Sequence, residues 1–374
     1  MSASVKAMAL LVGLAFAGFG ATVLADSRAS EQSVAAINAH IVKAHIVPRY
    51  RALDTAMTAL ERRAAQFCGG DRSKHWGDVL QAFHDAMDAW QAVRHIRVGP
   101  VLINQREHRI HFWPGRRNAT ARGLRPLMSS ADASIDDPET FARRSVAIQG
   151  LGALEWLLYA RAGRDAFTGE SGDYRCRLVR AITLNLKQMA QSILSEWLEG
   201  DDAFRNRIAS PGEGNAWFDD HWAVTRELLL ALRNALVEMH KQKVSRILDA
   251  PANAVRPRRA ESWRSERSLR NLQANVDALN ALYGDESGGL ATLLETADGR
   301  TIGVSVTHAL SELDRLVSAA SRQYEGSMVS LLSANDGEVQ LQLIHDALDD
   351  ARKAIARVFD HLSVTLGFNS QDGD

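Results

Sequence analysis

The chain has 374 residues, more than one hydrophobic core commonly serves, and a hydrophobic content of 46% is ample to fill two. Forty-four Lys and Arg against 45 Asp and Glu leave a formal charge of −1, so there is no global field to recruit nucleic acid or an anionic membrane.

Residues 1–25 read as a secretory signal: Lys6 opens it, an uncharged run from Met8 to Leu24 follows, and the small residues of Val23-Leu24-Ala25 place cleavage after Ala25. The alternative is an uncleaved anchor, for which a short run rich in Ala and Gly is marginal. No cysteine stands in or just after this leader, so lipoprotein attachment is excluded, and nothing later reads as a membrane span. Cys68 and Cys176 lie in a chain read as exported, where an oxidising compartment favours a disulfide between them over two free thiols.

Beyond the leader, apolar residues recur at alternating steps of three and four, the period of a helix buried on one face, and strand alternation is almost absent. The first segment, Val34 to Phe67, carries Tyr50, Leu53, Met57, Leu60, Ala64 and Phe67 in one stripe, with a kink expected at Pro48. The second carries Trp76, Leu80, Phe83, Met87 and Trp90. Residues 99–140 lack helical periodicity and read as a long loop, opened by Gly99-Pro100 and containing Phe112-Trp113-Pro114-Gly115. A third helix, Phe141 to Tyr159, is apolar on most faces, and a fourth carries Leu178, Ile182, Leu186, Met189, Ile193 and Trp197. Ser210 to Asn215 combines turn formers and helix breakers and reads as a linker.

Four more stripes follow. They run through Leu229, Leu232, Leu236 and Met239; Leu269, Leu272, Val276, Leu279 and Tyr283; Val306, Leu310, Leu313 and Val317; and Leu341, Ile344, Leu348, Ala351, Ile355, Val358 and Leu362. Pro251 and Pro257 interrupt the stretch from Leu248 to Ser262. The pattern predicts an all-α protein of two up-and-down four-helix bundles, over 26–208 and 209–374.

Two features carry possible chemistry. The apolar run Val146 to Tyr159 is expected to hold Gly150 and Gly152 inside a helix, each costing about 1 kcal/mol relative to alanine, with Glu155 one turn after Gly152. A carboxylate in such surroundings either pairs with a cation, as in a structural Glu–Arg bridge, or has its pKa raised. Second, residues 94–125 hold eight arginines and three histidines against Glu107 alone, and residues 256–270 hold six arginines against Glu261 and Glu266. Guanidinium groups bind carboxylate and phosphate bidentately, so two such loops brought together would form an anion site. His-Glu-x-x-His, phosphate-loop and Gly-x-Ser-x-Gly patterns are absent.

Several stretches together resemble the imelysin-like proteins, a family once classed as peptidases and associated mainly with bacterial iron acquisition: Val47-Pro48-Arg49-Tyr50, Trp90-Gln91, Ile96 to Pro100, Phe112-Trp113-Pro114, Ile148 to Tyr159, and Glu261 to Ser268. The family motif Gly-x-His-x-x-Glu falls on Gly150, Gly152 and Glu155, with Gly152 in the place of the histidine. The resemblance implies two four-helix bundles with a cleft between them, and a ligand site built from Gly152, Glu155, Arg97, Arg106, Trp113, Glu261, Arg264 and Ser265. Glu155 is then the best single candidate for contact with a cation, and the arginines for anionic ligand groups. Iron or another divalent cation is the cofactor class implied, and an anionic or metal-bearing small ligand the partner. The expected function is that of a periplasmic binding protein in iron acquisition, not an enzyme. The alternatives are a metallopeptidase, which the missing histidine disfavours, and a protein that docks on an envelope transporter component.

Overall fold

The computed structural model describes residues 29–115, 118–250, 256–284, 288–296 and 298–364. The expected leader and its cleavage point lie outside the described residues. Among the described residues the regular structure is helical, as the periodicity predicts, with no strand.

Helix α1 (Glu31–Ile41) starts where the Ser30 hydroxyl accepts the Ser33 N–H, and it runs through a π turn, Val42–Ile46, into α2 (Val47–Gly69). The break expected at Pro48 is this wider turn: Val47 N–H reaches back to Val42, and Pro48 sits in the first turn of α2, where a missing N–H is tolerated. Asp71 caps α3 (Arg72–Val93) by accepting from Ser73 and Lys74.

The stretch 99–140 is not a structureless loop. It folds into a 3₁₀ segment, Gly99–Gln105, then α4 (Arg106–Ile110), α5 (Ala119–Ser130), a 3₁₀ turn at Ala133–Asp136, and the start of α6 (Pro138–Ala142). Gly123 and Pro126 inside α5 hide its period, yet Ala121, Leu124 and Leu127 bury one face. The helix expected from Phe141 to Tyr159 is likewise broken up. Helix α7 covers only Leu151–Leu158, after a 3₁₀ turn at Val146–Ile148, and Gly150 is its cap rather than an interior residue.

Helix α8 (Gly169–Leu198) and the short α9 (Phe204–Ala209) precede an irregular connection that includes the Ser210–Asn215 turn. Asp220 caps α10 (His221–Glu238), which continues through a second π turn, Met239–Ser245, into α11 (Arg246–Leu248). Then come α12 (Ser268–Gly284), α13 (Arg300–Gln323), α14 (Met328–Ser333) and α15 (Gly337–His361).

Helix α2 packs between α3 and α8, while α13 packs between α12 and α15 with α10 alongside. The predicted stripes, from Tyr50 and Leu53 through Leu348 and Ile355, are the buried faces of these contacts. Two helix pairs are prominent among the contacts that join the groups. Helix α12 lies on α3, and α1 lies on α10, where Asn38 Nδ2 donates to the His221 carbonyl and Thr225 Oγ1 donates to Asn38 Oδ1. A disulfide, Cys68–Cys176, ties the end of α2 to the first turns of α8, as expected. No helix among the described residues is long and apolar enough to cross a membrane.

Candidate ligand-binding site

Gly152, Glu155 and Trp156 share one face of α7, because positions three and four apart on a helix are neighbours. Glu155 is buried, and its Oε1 accepts three hydrogen bonds from one loop: the N–H of Arg264 at 3.1 Å, the N–H of Ser265 at 2.9 Å and the Ser265 hydroxyl at 2.9 Å. Burial pushes the Glu155 carboxyl up, while these bonds from Ser265 and the charge of Arg264 pull against it. Glu155 therefore clamps the loop through its backbone, not through an arginine side chain. The loop needs a clamp, since Ser262 and Glu266 both hold positive φ, at 50° and 56°.

The clamp closes one side of a cavity of about 130 Å³. Gly152, Glu155 and Trp156 of α7 form its floor, and His111, Phe112 and Trp113, following α4, form a second wall. Its other charged residues are cationic: Arg246 from α11, then Arg258, Arg259 and Arg264 near Trp263. The Arg264 guanidinium lies 4.4 Å from the Trp263 ring centre and that of Arg258 5.5 Å away, which holds both in place without neutralising them. Burial lowers the pKa of Arg264, with Glu155 opposing and Arg258 adding, and lowers that of Arg246, with Arg259 adding. Among the described residues none of the four arginines forms an ion pair with a carboxylate within 4.0 Å.

Behind the His111 wall is a second cluster in which every charge is paired. Glu261, 2% exposed, accepts from Lys243 Nζ at 2.6 Å, Arg94 at 2.6 Å and Asn271 at 3.0 Å. Burial pushes its carboxyl up, but Lys243 and Arg94 outweigh that and hold it well below the usual range. Lys243 is pulled down to about 8 by burial, against the attraction of Glu261, and it also donates to Gln91 and Asn275. Arg94 bonds Glu238 as well. His111 Nδ1 lies 3.6 Å from Glu261, and burial brings the imidazole down to about 4, with Glu261 opposing and Arg94 and Lys243 adding.

Of the residues the sequence singled out, Gly152, Glu155, Trp113 and Arg264 line the cavity, Ser265 anchors its loop, and Glu261 lies in the cluster behind. Arg97 and Arg106 are not brought to its wall. Arg97 makes a bidentate pair with Glu107, at 2.8 and 3.0 Å, and Arg106 one with Glu196, at 2.7 and 2.6 Å. The sequence counted His111, Arg258 and Arg259 in the two basic stretches expected to meet as an anion site, and Trp263 in the Glu261–Ser268 family stretch, without naming them as site residues. It passed over Arg246 and Trp156, of which Trp156 had a readable signal, four residues after Gly152. The others reach the cavity through tertiary folding. Among the described residues no group of three or more His, Cys, Asp or Glu is placed to hold a metal ion. A carboxylate whose Oε1 is already taken and one imidazole do not fit a bare iron or divalent cation.

A family model described as Imelysin, under the label peptidase M75, matches residues 46–358. Among solved structures, an imelysin-like protein from Psychrobacter arcticum superposes with a TM-score of 0.72 at 18% identity, covering 91% of this chain and 98% of the other. A protein from Parabacteroides distasonis, described as a candidate iron-regulated protein A precursor, gives 0.75 at 15% identity, covering 90% and 97%. No curated protein matches. At these identities the solved structures speak to the fold alone, but the family match spans most of the sequence, and the chain belongs to the imelysin family.

Proposed function

We propose that this imelysin-family protein is exported to the periplasm and serves iron acquisition as a binding protein, holding a small anionic or metal-bearing ligand in the cavity beneath the Arg264 loop. The observation that carries this reading is charge without a partner: four arginines face one small cavity, and among the described residues no carboxylate is paired to any of them. Desolvating guanidinium groups costs free energy that a bound anion recovers as charge-assisted hydrogen bonds. The sequence of residues 1–25 supports export. The description of the P. distasonis relative as an iron-regulated precursor supports the link to iron. With too few donors for a bare ion among the described residues, iron would arrive already held by an anionic carrier.

Calorimetric titration of the full chain with citrate, ferric citrate and inorganic phosphate tests the reading. Binding is expected to weaken about 10- to 100-fold in Arg264→Ala, the scale of a hydrogen bond to a charged group, and further in high salt. Absence of binding to all three would sink it. Sequencing of the N-terminus of protein recovered from the envelope tests export, with Asp26 expected as the first residue.

A further inference from the structure

The cavity is not uniformly cationic, and its acceptors lie together. Gly152 brings no side chain into the floor, and a Cβ built there would sit 3.8 Å from His111 Cδ2, so the Cδ2–Nε2 edge of the imidazole faces α7. The opposite nitrogen, Nδ1, is buried, has no hydrogen-bond partner and points to the Glu261 carboxylate 3.6 Å away. A neutral imidazole carries one proton, and the carboxylate draws it to Nδ1, which leaves the Nε2 lone pair on the cavity side. Beside it, Glu155 takes its three loop donors on Oε1, leaving Oε2 free to accept. The cavity thus offers hydrogen-bond acceptors as well as guanidinium groups.

We propose that His111 is a further ligand-binding residue and that, with Glu155, it selects an anion carrying an O–H or N–H donor beside its carboxylates, a hydroxy- or amino-dicarboxylate in preference to a plain one. This rests on the anion-binding reading of the same cavity. The arginines hold the carboxylates, and the donor bonds His111 Nε2 or Glu155 Oε2. A ligand without the donor leaves these two acceptors facing it unpaired, and sites built to bond a substrate hydroxyl reject the analogue lacking it far more strongly than pockets that sense only size. Burial, with the charges of Arg94 and Lys243 adding and Glu261 opposing, keeps the imidazole from taking a proton, so His111 remains an acceptor.

Succinate, malate and aspartate carry the same two carboxylates and differ at one carbon by hydrogen, hydroxyl and ammonium, so their titration into the full chain isolates the donor. Malate and aspartate are expected to bind at least about tenfold more tightly than succinate. In His111→Phe, which keeps the volume and leaves Glu261 its bonds to Lys243, Arg94 and Asn271, the malate advantage over succinate is expected to fall to about twofold or less. His111→Gln, which restores an acceptor, is expected to recover part of it. Equal affinities for all three ligands in the unmutated protein would overturn the inference and leave the anion site standing. Failure of all three, and of citrate and phosphate, would overturn both. Should His111→Phe not fold, as judged by circular dichroism, the series on the unmutated protein decides.

Discussion

Gly150 and Gly152 stand two residues apart and answer different constraints. A methyl at 150 would lie 2.4 Å from the carbonyl oxygens of both Arg109 and Ile110, backbone atoms that cannot move aside, whereas at 152 the nearest atoms are 3.8 and 4.0 Å away. Thermal denaturation is therefore expected to find Gly150→Ala less stable by about 1–3 kcal/mol, the cost of overpacking. Gly152→Ala is expected to be neutral or up to about 1 kcal/mol more stable, since alanine suits a helix better, while narrowing the cavity. The reverse order would show that the close approach at Gly150 is relieved by movement of α4. Glu155→Ala removes the acceptor of two buried N–H groups and a hydroxyl, at about 1–3 kcal/mol for each group left unpaired. Glu155→Gln, which keeps a carbonyl oxygen, is expected to lose much less. Equal melting temperatures for the two variants would remove Glu155 as the clamp of its loop. The sequence made Glu155 conspicuous, a carboxylate in an apolar run, and resemblance placed Arg264 and Ser265 with it. What it could not say is that Ser265 and the backbone of Arg264 would be its partners, because residue type carries no record of main-chain N–H groups.

At the scale of elements, the long helices were legible because each buries a single stripe: α2, α8, α12, α13 and α15 lie where their periods place them. The misses have physical causes. In α5, Gly123 and Pro126 mask a helix that tertiary contacts stabilise, and Gly123 faces Ile148 at a distance no side chain could occupy. In α7, the continuous apolar run from Val146 conceals the start, because a segment buried on all sides has no polar face to mark its phase. The disulfide joins two elements that the stripes alone would not have connected, closing a sequence separation of 108 residues. Chain entropy puts an upper bound of about 4–5 kcal/mol on its contribution. Replacing both cysteines by serine, Cys68→Ser with Cys176→Ser, is expected to lower the melting temperature and to raise hydrogen exchange first at the end of α2 and the start of α8. An unchanged melting temperature would mean that packing of α2 on α8 already confines those ends.

Across the whole molecule, the two helix groups meet over buried charge and buried imidazole, and this makes stability depend on pH in a direction that can be worked out. His45, His95 and His111 are each at most 5% exposed. His45 and His95 share one hydrogen bond, Nε2 to Nε2 at 2.8 Å, and neither Nδ1 has a partner. Burial, with the neighbouring His95 and Arg49, brings His45 down to about 2; burial, with Arg49, brings His95 down to about 3; His111 stands at about 4. The unfolded chain takes up these protons near pH 6.5, the folded protein only well below that, so the stability they contribute is complete above pH 6.5 and is lost as pH falls through the window down to about 4 and lower. Each such group tilts the balance by up to about 1.4 kcal/mol per pH unit inside its window. Glu155 acts the other way, because burial raises its pKa and lets the folded state take a proton before the unfolded chain does. Glu261, held low by Lys243 and Arg94, adds to the loss once the pH drops below 4.5. The urea midpoint is therefore expected to fall from pH 7 to pH 5, the range in which the imidazoles of the unfolded chain take up their protons. In His95→Gln the slope over that interval is expected to be shallower, since one imidazole no longer takes up a proton on unfolding and its neighbour keeps a hydrogen-bond partner. A midpoint that stays level between pH 7 and pH 5.5 would mean that these imidazoles are charged, or reached by water, in the folded protein, and the neutral His111 on which the donor-selective cavity depends would fall with them.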